Sequence, residues 1–297
     1  MANASPLRRG FLGLCLVAGL VAAAPGCRED GSPPLERLMS ARRLTAELRL
    51  RFNQAADASN RAVMADTDEA SIAFAKEAEE AKKAVKSDIE ALGAVLRGLG
   101  FEDEVRSLDE FVKRFAAYEA LDHSVLELAV ENTNLKAQRL SFGPLRDAAG
   151  ALRTALDAVA KAAAPKTSCE VAALVARVEL AVADIQVLDA PHIAEADDGV
   201  MTKLEKEMDA LEASARGALR TLAGVASPSS QADVATAVAA LDRFKTAQAS
   251  LVTLSRKNTN VHSLRLSLQK RPLAGDCDAS LAALSDGLAK RRLGAAR

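Results

Sequence analysis

The feature that most constrains this chain is that it repeats itself. The run Asn132-Thr133-Asn134-Leu135-Lys136-Ala137-Gln138-Arg139-Leu140-Ser141-Phe142 returns as Asn258-Thr259-Asn260-Val261-His262-Ser263-Leu264-Arg265-Leu266-Ser267-Leu268, with six of eleven positions identical. The register extends upstream, where Phe115, Tyr118, Val125 and Leu128 fall opposite Leu241, Phe244, Leu251 and Leu254. Further up, Phe74-Ala75-Lys76-Glu77 matches Leu204-Glu205-Lys206-Glu207 after a small deletion near Gly100. Such a chain is two copies of one unit, so both halves should share one fold.

Within each copy the period is helical. Leu38, Ala41, Thr45, Leu48, Phe52 and Ala55 recur at alternating spacings of three and four, a bundle seam. Leu108, Phe111, Phe115, Tyr118, Leu121, Val125 and Leu128 repeat the theme. Breakers at Gly98 and Gly100, Gly143-Pro144, 165–168, Pro191, 224–230 and 272–275 divide each copy into four helical segments. Nothing alternates as a strand would. The expected fold is all-α, with one antiparallel four-helix bundle over 35–164 and a second over 166–297. With 49% hydrophobic residues, 3% aromatic and no Trp, the helices should pack through small and aliphatic side chains. A net charge of −1 without a basic stripe argues against nucleic acid as a partner.

The amino terminus carries a secretion signal: Arg8 and Arg9, an uncharged apolar run over 11–24, then small residues. The run is too short for a spanning helix, which needs about 20 apolar residues. Ala24-Pro25-Gly26-Cys27 resembles the lipobox of bacterial lipoproteins, which implies a signal peptide over 1–26, acylation (palmitate-type) at Cys27 and a tether over 27–34. Residues 8–12 also resemble a twin-arginine signal, so both export routes stay open. The expected location is the cell envelope, lipid-anchored and facing the periplasm or exterior, on either membrane. In that oxidising setting the mature body keeps two thiols, Cys169 and Cys277, and composition favours a disulfide between them. The bundle topology opposes it, because the two residues open helices whose starts lie at opposite ends.

The paired Asn-Thr-Asn segments, with Pro191-His192-Ile193-Ala194-Glu195 at a helix junction, resemble the extracytoplasmic four-helix-bundle sensory domain of bacterial methyl-accepting chemotaxis receptors and related sensor kinases. The resemblance implies binding of a small ligand or partner without catalysis. No second span or signalling module accompanies it, so any signal would pass to another protein.

Extending the seam from Val125 and Leu128 reaches Asn132 and then Arg139; in the second copy it reaches Asn258 and Arg265. One reading is a polar layer that fixes register. A second is a ligand site, with amides and guanidinium groups poised for a carboxylate, and a third is a bundle end at which the arginines reach solvent. Asp189, His192 and Glu195 share a helical spacing, but one segment does not make a metal site, and Pro191 suggests a solvated helix start there. His123 and His262 are expected at the surface or at a boundary. Glu77, Glu79 and Glu80 beside Lys82 and Lys83 suggest a salt-bridged outer face. The motifs of c-type haem, di-iron, phosphate-loop and nucleophile-elbow sites are absent, so no catalytic residue, metal or cofactor is expected. The favoured function is a non-enzymatic sensory or ligand-binding lipoprotein. The alternative is a structural or adaptor lipoprotein that binds an envelope protein through helix faces.

Overall fold

A computed structural model describes residues 34–291. The expected signal peptide over 1–26, the lipidation site Cys27 and most of the tether lie outside the described residues. Among those described, every regular element is helical. The helices are α1 (Pro34–Met64), α2 (Asp68–Gly98), α3 (Glu102–Glu131), α4 (Thr133–Leu140), α5 (Arg146–Lys161), α6 (Ser168–Ala194), α7 (Asp198–Val225), α8 (Gln231–Lys257) and α9 (Thr259–Lys290). None is long and apolar enough to cross a membrane.

Turn chemistry sets the reversals. Thr67 caps α2 through its hydroxyl, which accepts from the Ala70 amide, and Asp197 caps α7 by accepting from the Val200 amide. Gly100, at φ +67°, ends α2: its amide reaches the Arg97 carbonyl while the Phe101 amide reaches Leu96. That paired arrangement satisfies the last carbonyls and needs a left-handed residue, which glycine supplies without strain.

The helices form two four-helix bundles, but not of consecutive segments. The first core joins Leu48 and Phe52 of α1, Leu92 of α2, and Phe111 and Tyr118 of α3 with Leu281 and Leu284 of α9. Phe52 meets Phe111, Phe115 and Tyr118 edge-on at centroid distances of 5.2–6.2 Å. The second core joins Leu152 and Leu156 of α5 with residues of α6, α7 and α8, among them Ile185, Leu219 and Phe244. Each bundle thus holds three helices of one copy and the fourth of the other.

This corrects the expected division at 164/166. A consecutive bundle needs the chain to reverse at Gly143-Pro144 and at 272–275. Instead a π-helical turn over Ser141–Leu145 absorbs Pro144, and α9 runs through Pro272. Without a reversal, the fourth segment continues past its own bundle into the other. Polar contacts then hold α9 in the first bundle. Arg49 makes a two-pronged bond to Asp278 at 2.7 and 2.9 Å, and Arg42 caps the α9 carboxyl end at the Leu288, Ala289 and Arg291 carbonyls.

Residues 34–164 produced alone should therefore not behave as a folded monomer, since α9 is missing and its apolar groove is bare. Analytical ultracentrifugation with a thermal melt checks this. A monomeric fragment with a cooperative melt would show that the exchanged helix is dispensable.

Candidate functional site

Three buried polar assemblies interrupt the apolar interior. The first lies where the chain crosses between bundles. Asn132 and Asn258, at φ 50° and 52°, are the non-glycine residues of positive φ among those described. Asparagine tolerates this left-handed state better than most residues. Each ends one helix and starts the next, so one residue redirects the axis.

The two Asn-Thr-Asn runs then bind each other reciprocally. The Thr133 amide donates to Thr259 Oγ1 and the Thr259 amide to Thr133 Oγ1, both at 3.1 Å. The Asn134 amide donates to Asn260 Oδ1 and the Asn260 amide to Asn134 Oδ1, also at 3.1 Å. The side-chain amides of Asn134 and Asn260 donate to Asn258 Oδ1 and Asn132 Oδ1 at 2.8 Å. The four backbone donors are the orphan amides of two helix starts, satisfied by the other repeat.

The ligand site expected at Asn132, Arg139, Asn258 and Arg265 is therefore not assembled. The Oδ1 atoms of Asn132 and Asn258 are taken by the clasp, the Asn258 side-chain amide donates to the Glu195 carbonyl and that of Asn132 is buried without a partner. The arginines leave the clasp: Arg139 pairs with Asp68 at 2.7 Å, while Arg265 is exposed and contacts His262. A left-handed residue resets the helical phase, so a seam counted through it misplaces everything beyond. The register-fixing reading fits this arrangement.

The second assembly is a buried ion cluster joining all four helices of the first bundle. Asp122 of α3 receives Lys82 of α2 at 2.8 Å and Lys270 of α9 at 2.6 Å. Ser59 of α1 donates to the same carboxylate, and Tyr118 does so at 3.4 Å. Lys82 also pairs with Glu79 at 2.7 Å. Although burial works against its charge, the two ammonium groups and Ser59 hold the Asp122 carboxyl below its ordinary range. Burial pushes Lys270 down, with Lys82 adding to it, and burial beside Asp122 drives the Tyr118 hydroxyl far up. Lys82 is thus not part of an outer face. Its signal was its place on the buried row with Ala75, Ala78 and Val85.

The third assembly belongs to the second bundle. Asp189 and His192 are buried inside α6, which continues past Pro191, so the expected solvated helix start is corrected. Asp189 accepts from Gln248 at 3.0 Å and Ser141 at 3.1 Å, and burial raises its carboxyl above the ordinary range. His192 lies 2.9 Å from both Ser255 and Glu205, and Glu205 also takes Arg256 at 2.6 Å. Glu195 instead turns back to accept from the Ala196 and Asp197 amides.

Beside this network, between α7 and α8, lies a cavity of about 320 Å³. Ile185, Met208 and Phe244 supply apolar wall, and Glu205, Asp209, Glu212 and Lys245 bring charge. Gln248, 5% exposed, lines it as well, and its Oε1 is buried without a hydrogen-bond partner in the protein. Repeat register explains why the two bundles differ here. Gln248 and Glu212 stand where the first bundle has Asp122 and Lys82. There a buried lysine reaches the carboxylate; here Glu212 turns to Arg216 at 2.6 Å on its own helix.

The thiols do not meet. Cys277 is buried in the first bundle, its thiol pushed up to about 12 by burial, whereas Cys169 is exposed at the start of α6 in the second. Both are free, which corrects the candidate disulfide. His123 is exposed as expected, pairing with Glu127 at 3.3 Å, and His262 is half-buried. Among the described residues no group of three or more His, Cys, Asp or Glu side chains is placed to hold a metal ion. No family model, curated protein or solved structure matches the chain.

Replacing Asp122 with Asn leaves Lys270 buried without its anion and Lys82 with Glu79 alone, and should cost about 3–5 kcal/mol at neutral pH. Because the folded carboxyl is held low, its contribution is complete above the unfolded value of about 4 and is lost as pH falls through the depressed one. Urea melts of both forms across pH should show a gap that closes only in acid. A gap independent of pH would mean that Asp122 does not act as an ion.

Proposed function

We propose that the protein is a non-enzymatic, lipid-anchored extracytoplasmic binding protein whose second bundle takes a small amphipathic molecule carrying an N–H donor, a primary ammonium in the first instance. The observation that carries this reading is the cavity over Gln248. Its volume sits at the lower end of the roughly 300–1,000 Å³ usual for small-molecule sites. A buried acceptor without a partner calls for a donor, and because Oε1 has no exposed surface in the unliganded protein, the Gln248 side chain turns toward the cavity to take one. Phe244 offers a ring to a cation, while the carboxylates at the opening are already ion-paired, Glu205 with Arg256, Asp209 with Lys245 and Glu212 with Arg216, so the selection rests on Gln248 and Phe244. The Cys27 lipobox and the charged-then-apolar amino terminus support the anchor and the envelope location. The resemblance to chemoreceptor sensory bundles supports a sensing role, in which occupancy is passed to another protein.

Titration calorimetry of residues 28–297 against primary amines, amino acids and organic acids tests the site. Amines should bind and raise the melting temperature, acids should not, and Ala249→Trp at the exposed rim should abolish binding while leaving the unliganded melt unchanged. Absence of binding by every amine tried would refute the site. Separately, Cys27→Ser should move the full chain from the membrane to the soluble fraction, and persistent membrane association would refute the lipid anchor.

A further inference from the structure

The helix α6 is apolar on two sides. Its inner side, with Val178, Val182 and Ile185, fills the second core. Nearly opposite, Ala173, Ala176, Leu180, Ala183, Val187 and Ala190 alternate at spacings of three and four, and all are exposed. Leu180 and Val187 are 63% and 71% exposed. A helix apolar all round is normally enclosed, and this outer stripe has the spacing of a coiled-coil seam. Scattered exposed apolar residues are ordinary, but a continuous seam along a 27-residue helix is not.

The flanking charges select the occupant. If α6 pairs with α6 of a second copy in the antiparallel sense, Leu180 lies against the second copy's Ala183, and Val187 against its Ala176. The same register sets Arg177 beside the second copy's Asp184, and Asp184 beside its Arg177, a self-complementary pair of ion contacts. Glu179 then faces Gln186. A parallel pairing would instead place Glu179 beside the second copy's Asp184, like against like. Alanine in every layer lets the axes approach toward the lower end of the usual range of about 8–10 Å. Asp184 is exposed and free to turn outward, and Arg177 makes only a 3.3 Å contact to Ser214.

We infer that the outer face of α6 is a homodimer interface, in which two copies pair antiparallel along Leu180 and Val187 with Arg177 and Asp184 exchanged across the twofold axis. The interface is isologous, as closed dimers are. Cys169 then lies beside the second copy's Ala194, about 37 Å along the helix from its own counterpart at that end. The geometry thus forbids a Cys169–Cys169 disulfide.

The described residues 34–291 belong to one compact unit, so the chain from residue 28 carries the whole interface. Sedimentation under reducing conditions over a concentration series should show a monomer–dimer equilibrium. The pair Leu180→Glu and Val187→Glu should give monomer with an unchanged melt, since both side chains are exposed. Asp184→Arg should weaken dimerisation by about tenfold or more, and adding Arg177→Asp should restore it. On oxidation, Ala194→Cys should give a disulfide-linked dimer through Cys169, while the unsubstituted chain gives none. A monomer at every concentration, a Cys169–Cys169 dimer, or a charge reversal without rescue would each overturn the proposal.

Discussion

Two residues held in a left-handed conformation organise the rest of the molecule. Asn132 and Asn258 each break a helix for a single position and let it resume, so the chain changes direction without turning back. The helical segment that follows each one is thereby committed to the opposite bundle. The cost of two non-glycine left-handed residues and four helix-start amides without intrahelical partners is offset locally. Each Asn-Thr-Asn run supplies the acceptors that the other needs, and the near-equal distances on the two sides show how closely the pseudo-twofold symmetry is kept. Were the runs different in sequence, that reciprocity would fail, which is a physical reason for this segment to be the best-preserved part of the repeat.

Away from the clasp the two halves have diverged. At one level of the first bundle, Ser59, Lys82, Asp122 and Lys270 make a closed set of charges and donors, one helix apiece. The register-equivalent level of the second bundle has Asp189, Glu212 and Gln248, an acid-rich set with no buried lysine. The carboxyls respond in opposite senses: two ammonium groups hold Asp122 down, whereas Asp189, with neutral donors to its oxygens and burial around it, is pushed up. One bundle has thus used its polar layer for specificity of packing, and the other has kept room and an unpaired acceptor.

Much of this was legible in the sequence, and the failures have definite causes. The seam through Leu38, Leu48 and Phe52 is buried as its spacing predicts, because within one unbroken helix periodicity and burial are the same fact. The exchange of fourth helices was not legible from periodicity. α5 and α9 present similar apolar stripes, and a stripe does not name its partner. The repeated asparagine was the available signal, since this residue in the middle of a helical pattern points to a left-handed position. Extrapolated past that position, the seam places Arg139 and Arg265 on the buried stripe, whereas both are exposed, as the bundle-end reading of the arginines has it. Pro144, Pro191 and Pro272 misled as breakers because tertiary packing kept the helix through each of them. The Gln248 cavity had no signature of its own; it exists through the difference between Glu212 and Lys82, which needs both copies placed in space.

The exchange also orders assembly in time. A ribosome releases the helices of the second bundle, α5 to α8, before α9 exists, so that bundle can close on its own parts as soon as they emerge. The first bundle cannot. Its α1, α2 and α3 are made early, yet Arg42 must wait for the Leu288 carbonyl at the far end of the chain. Contacts of such sequence separation are slow to find and leave apolar surface bare meanwhile. The half synthesised first is therefore finished last, and it is the half that any premature stop would leave open.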